Sequence, residues 1–168
     1  GPIPEAVTQR EIHVVSSDAP DGTPPVLITM ELSSTAITAP GTIEVTIEAT
    51  DDVSGANWAH VSFWCEETQK SISCSLYATY RKNGQTIPYE DGKLHGTIQI
   101  DQYLESGTFK LSGISLEDRA GNGIAYSMDW RPGWEADGCY PLPDSITQRE
   151  IFVTDSGTPD GTPPVLVN

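Results

Sequence analysis

Six side chains in this sequence offer the oxygen atoms that a hard cation takes: Asp18, Asp21, Asp51, Asp52, Asp118 and Asn122. They fall in three short segments far apart in the chain, DAPDG at 18–22, DDVSG at 51–55 and EDRAGN at 117–122. Ca²⁺ accepts roughly six to eight oxygen ligands from carboxylates and carbonyls, so these residue types point to calcium, provided the fold brings the segments together. Zinc is excluded by spacing: His13, His60 and His95 are scattered, and no Cys/His pattern accompanies them. Catalytic chemistry finds no support either. There is no G-x-S-x-G, no H-E-x-x-H and no phosphate loop, so the chain reads as a non-enzyme with no catalytic residue.

The elements that must position these residues are strands. Short alternating runs such as IEVTIEAT at 43–50, HVSFW at 60–64 and FKLSGISL at 109–116 are punctuated by 13 prolines and 15 glycines, and no long stretch has a helical period. Strands are expected at 26–32, 42–50, 59–65, 74–80, 94–100, 109–116, 123–128 and 146–154, with Asn83-Gly84 as a tight hairpin turn. Seven to nine short strands with frequent turns imply an all-β, immunoglobulin-like antiparallel β-sandwich of Greek-key type. In that order the first strand runs away from the linker, the second returns to it, and the strand before DRAGN also runs back. Asp18, Asp21, Asp51, Asp52, Asp118 and Asn122 are therefore expected at one pole. Two readings of this acidic pole stand: a Ca²⁺ site, or Asp and Asn serving turn geometry alone.

One stretch is written twice. Residues 8–27 and 147–166 agree at 15 of 20 positions at a constant offset of 139. A fixed period without gaps marks a tandem array. The organisation expected is residues 1–15 as the last strand of a preceding repeat, 16–25 as linker, 26–154 as the sandwich with an irregular excursion at 129–145, and 155–168 as linker and start of the next repeat. Asp21 is the one acidic linker residue present in both copies, as Asp160; Asp18 aligns with Gly157.

A net charge of −15 with nine Lys and Arg argues against nucleic-acid partners, and no apolar run approaches a membrane span. Three cysteines leave one unpaired if two bond. Cys65 and Cys74 flank a short hairpin and are the favoured disulfide, with Cys139 the alternative partner. Trp130, Trp134 and Tyr140 crowd the excursion, where they either stack on a sugar ring or fold back over the sandwich edge.

The combination DGTPPVL, ATDDVSG at 49–55 and SGISLEDRAGN at 112–122 resembles the bacterial immunoglobulin-like repeats of large secreted and surface-anchored proteins, which read D-x-TPP-x-L, ATDD-x-SG and L-x-DRAGN at comparable places. The likeness covers residues 21–128. It implies a β-sandwich repeat of a bacterial cell-surface adhesin or a long extracellular enzyme, with calcium between domains as in cadherins. The chain departs from the pattern in its length and its cysteines. The function expected is a stalk repeat stiffened by Ca²⁺, extracellular, partnered by neighbouring repeats of the same chain. The alternatives are a glycan- or protein-binding adhesin module using the 129–145 loop, and an accessory domain of a secreted hydrolase.

Overall fold

The computed structural model describes residues 20–166. The strand expected at 1–15 and the linker residues 16–19, Asp18 among them, lie outside the described residues. Twelve strands follow in order: β1 (Val26–Leu32), β2 (Ala36–Thr38), β3 (Gly41–Thr50), β4 (Ala56–Cys65), β5 (Lys70–Tyr77), β6 (Thr79–Lys82), β7 (Gln85–Pro88), β8 (Leu94–Ile100), β9 (Gly107–Asp118), β10 (Gly123–Ser127), β11 (Cys139–Pro141) and β12 (Glu150–Thr154). The one helical element among the described residues is a 3₁₀ turn at Trp134–Asp137, and no helix there is long and apolar enough to cross a membrane.

Strands β6 and β7 form a separate two-stranded sheet, and the other ten form a curled mixed one. Its hydrogen-bonded path runs β1-β3-β8-β5-β4-β9-β10-β11, with β12 beside β9 and β2 beside β12. The curl is made at β5, which pairs along its length with β4 but meets β8 through the single register pair Tyr77–His95. The two arms then share one core. Ile43, Val45 and Ile47 of β3 and Ile98 of β8 face Ala59, Val61 and Phe63 of β4, Leu76 of β5 and Phe109, Leu111, Ile114 and Leu116 of β9. Period-2 alternation writes this pattern into the sequence, as in β3, where Glu44, solvent-exposed, sits between two buried residues. The Asn83-Gly84 turn joins β6 to β7 with φ of 50° and 78°, the left-handed pair that a two-residue hairpin requires.

Two expectations are corrected. The sheet is not purely antiparallel: β10–β11 and β2–β12 are parallel pairs. Both involve strands of three residues in segments without strong alternation, β11 inside the excursion and β2 between two turns. The Cys65–Cys74 disulfide is absent, and all three cysteines are free. The turn between β4 and β5 is only four residues long, so Cys65 pairs with Lys70 and Cys74 with Val61. The two thiols are therefore four ladder positions apart, about 13 Å along the strand, well beyond the reach of a disulfide. Cys65 instead donates to the Glu67 carboxylate at 3.1 Å, which holds that carboxyl below the usual range, and burial pushes the Cys74 thiol up to about 11.

The irregularity that matters most for the site is in β9. Phe109 and Leu111 face the core, then Ile114, Leu116 and Asp118 do. A register shift opposite Ser62–Phe63 moves the alternation by one residue across Ser112–Gly113. Without it Glu117 would point inward; with it Asp118 does.

Candidate functional site

The antiparallel path puts three connections at one end of the molecule: the segment entering β1, the 51–55 loop between β3 and β4, and the 118–122 turn between β9 and β10. Hydrogen bonds lace all three together. Asp21 accepts from the Ser54 amide at 3.0 Å, and the Thr23 hydroxyl donates to Asp52 at 2.7 Å, tying the entering segment to the 51–55 loop. The Arg119 amide donates to the Gly55 carbonyl at 3.2 Å, tying loop to turn. Asn122 closes the triangle, its Nδ2 donating both to Asp118 at 2.7 Å and to the Asp21 carbonyl at 3.2 Å.

Inside this triangle one carboxylate oxygen from each of Asp21, Asp51 and Asp118 lies within 4.8 Å of the other two. Asp118 is 1% exposed, the one buried charged residue among those described. Its oxygens accept from the Asn122 amide at 2.8 Å and from Asn122 Nδ2. Asp51 accepts through Oδ2 from the Ser54 hydroxyl and the Gly55 amide, but its Oδ1 is buried with no partner. A buried polar atom without a partner is costly, and native structures rarely keep one without reason. The hydroxyl and amide of Ser54, with those of Thr23, hold the Asp21 carboxyl below the usual carboxylate range, so it is ionised at neutral pH. Two carboxylates about 5 Å apart repel by on the order of 3 kcal/mol at an effective dielectric of 20. Among the described residues the ion pairs are Lys93–Glu48 and His95–Asp91, and none includes these aspartates.

Three carboxylate oxygens at this spacing are a donor set that a hard cation such as Ca²⁺ can take. Ligands on opposite sides of Ca²⁺, each at about 2.4 Å, stand about 4.8 Å apart, the outer limit of the observed spacing. Asp21, Asp51 and Asp118 supply three hard oxygens, and Asp51 Oδ1 is buried without a partner among the described residues. The other expected ligands have different surroundings. Asp52 sits at the exposed rim and takes the Thr23 hydroxyl. Asn122 turns its amide nitrogen inward and positions Asp118. Asp18 lies outside the described residues.

Tyr140 packs beside Tyr126, with ring centroids 6.5 Å apart, Trp134 is 39% exposed on the 3₁₀ turn, and Trp130 is partly buried with its Nε1 unpartnered. The excursion is anchored by Leu142 and Ile146, both buried in the core. A feature not singled out in the sequence lies elsewhere: a groove of about 390 Å³ in which Trp64 and Met128 flank Lys110, Glu66 and Asp129. Trp64 donates from its indole N–H to Glu66 at 3.2 Å. Its signal was the outward phase of Trp64 between buried Phe63 and Cys65, but the partners from β9 and from 128–129 meet it only through strand pairing. No protein-family model, curated protein or solved structure matches this chain.

Proposed function

We propose that this chain is a structural repeat of a longer bacterial surface protein, an immunoglobulin-like Greek-key sandwich stiffened by Ca²⁺ where one unit meets the next. The observation that carries this reading is the buried, unpartnered Asp51 Oδ1 within a cluster whose other members come from the linker (Asp21) and from β9 (Asp118). Ca²⁺ there offsets two of the three carboxylate charges, which relieves their repulsion, and in doing so clamps the linker to the domain. The repeated segment at offset 139 supplies the tandem context, and the resemblance of the DGTPPVL, ATDDVSG and DRAGN segments to surface-protein repeats supplies the extracellular setting.

The test is thermal unfolding in EDTA and in Ca²⁺. A ligand bound only to the folded state adds about 2.7 kcal/mol at a hundredfold excess over Kd, a rise of roughly 5–10 °C for a domain of this size. The rise is expected for the wild type and is expected to vanish in Asp51→Asn, which keeps the side chain's shape. An equal midpoint in both buffers removes the cation from the account.

A second reading is favoured by the Trp64 groove. An indole face beside carboxylates and a lysine is the arrangement that binds a sugar ring by stacking and hydrogen bonding. Under this reading glycans quench Trp64 fluorescence, and Trp64→Ala abolishes the response while leaving Ca²⁺ stabilisation intact.

A further inference from the structure

The described part of the first copy, residues 20–27, and the end of the second copy sit at opposite ends of one folded unit and are bonded to different surfaces. In the first copy, Asp21 and Thr23 bond to the 51–55 loop, and Leu27, 3% exposed, belongs to the core. In the second copy, the contacts are with the turn between β8 and β9. The Ser106 hydroxyl donates to the Asp155 carboxylate at 2.7 Å and accepts from the Asp155 amide at 2.8 Å. The Ser156 hydroxyl donates to the Gln102 carbonyl at 2.7 Å, and the Asp160 amide donates to the Tyr103 carbonyl at 3.0 Å. The Glu105 carboxylate covers Gly161, where a Cβ would meet it at 3.0 Å.

The two sets of contacts use different atoms of the same segment, so they are compatible in one linker. Asp160 aligns with Asp21 at the offset of 139, and the local geometry repeats: Asp160 accepts from the Thr162 amide at 3.0 Å as Asp21 accepts from the Thr23 amide at 3.2 Å. The amide of the aspartate is taken by the unit before it; the carboxylate, in the first copy, is taken by the unit after it. Leu166 completes the argument. It aligns with Leu27 yet is 89% exposed, an apolar side chain whose counterpart is buried in the core of the unit that follows the linker.

We propose that the Gln102–Ser106 turn is the docking surface for the next copy of this unit, and that Asp160 is shared between the two, its amide bound to Tyr103 and its carboxylate to the next unit's counterpart of the Ser54 amide. The linker then has no slack. Positions 155, 156 and 160 are held by one unit, and positions 160, 162, 165 and 166 by the next, Val26, the counterpart of 165, being paired with Thr50. The longest stretch without a contact to either body is therefore 157–159, where Thr158 bonds back to Ser156 and Pro159 is stiff. In the array the space beside Gly22, where an added Cβ would meet none of the described residues within 4 Å, takes the preceding unit's counterpart of Glu105. This inference rests on the tandem-repeat reading and not on the cation.

The experiment uses a two-unit chain in which residues 21–159 are repeated in frame. ¹⁵N relaxation and amide exchange are measured in EDTA and in Ca²⁺, beside a variant carrying Gly-Ser-Gly-Ser between Gly157 and Thr158. The expected result in Ca²⁺ is one rotational correlation time for both units, split into two by the insertion. The Asp160 amide exchanges on the order of tenfold slower than in the insertion variant, with or without Ca²⁺, because Tyr103 holds it independently of the carboxylate cluster. Two independent correlation times in the uninterrupted chain with Ca²⁺ present, or an Asp160 amide no slower than in the variant, overturns docking. Failure of the cation reading has a different signature: the slow Asp160 amide and the single correlation time are then the same in both buffers.

Discussion

Asp51 and Asp118 carry the electrostatic side of this account, and they differ in how they are held. Asp118 is buried but has both oxygens satisfied by Asn122, whereas Asp51 keeps one oxygen without a partner. Asp118→Asn is therefore expected to cost folding stability as well as cation affinity, because a second amide opposite the Asn122 nitrogen places donor against donor; urea unfolding in EDTA should show a loss of about 1–3 kcal/mol. Asp51→Asn is expected to lose affinity with little change in EDTA. Acid acts on the same site with a definite sign. The folded-state carboxyl of Asp21 lies below its unfolded value, so its contribution is present above the ordinary carboxylate range and is lost as pH falls through the lower, folded value. Asp155 and Asp160 are lowered in the same direction, chiefly by the Ser106 and Thr162 hydroxyls. A pH series of thermal unfolding should show a plateau at neutral pH and a decline below about pH 4. The thiols give a further check. Cys65 and Cys74 are buried and unbridged, so a thiol reagent should modify Cys139 first and reach the other two only on unfolding, and reductant should leave the melting temperature unchanged. A reductant-sensitive midpoint would contradict the register that separates the two residues.

At the scale of the elements, register decides what meets what. Strand existence was legible because β3, β4 and β8 alternate cleanly, and the expected 26–32 and 94–100 coincide with β1 and β8. The pole was legible because strand direction follows from counting. The inward turn of Asp118 was not, since Glu117 and Asp118 are adjacent acids and only the bulge at Ser112–Gly113 selects between them. The cysteine register failed for a related reason: a nine-residue spacing fits several turn lengths, and the four-residue turn that occurs sets the thiols apart. β2 and β11 were missed because three residues are too few for a period, and their parallel partners lie far off in sequence. The repeated Thr-Gln-Arg-Glu has a structural reason visible only in the fold. Gln148 accepts from the Leu32 amide at 2.6 Å and so continues the ladder at the edge of β1, while Arg149 donates to the Ile146 and Pro143 carbonyls and shapes the approach to β12. The seam between β5 and β8 is the element most sensitive to change. A Cβ at Gly96 would run into the Ser75 carbonyl and the Leu76 side chain. Gly96→Ala should therefore destabilise by about 1–3 kcal/mol in denaturant unfolding, and an unchanged midpoint would mean that the arms do not close there.

For the whole molecule, the arrangement is one core with two differently furnished ends. One end gathers carboxylates from the segment entering β1, the 51–55 loop and β9; at the other, the turn between β8 and β9 bonds to the segment that follows β12. Under the proposed function, the net charge of −15 keeps neighbouring units apart, and a cation at the carboxylate cluster relieves the repulsion where they meet. The most direct measurement of that claim is a calorimetric titration of Ca²⁺ into chelator-treated protein, run on the wild type and on Asp51→Asn. The account predicts a saturable site in the wild type that is lost in the variant, with the variant's folded structure intact by circular dichroism. No binding by the wild type at millimolar Ca²⁺, or the same binding by both proteins, would contradict it.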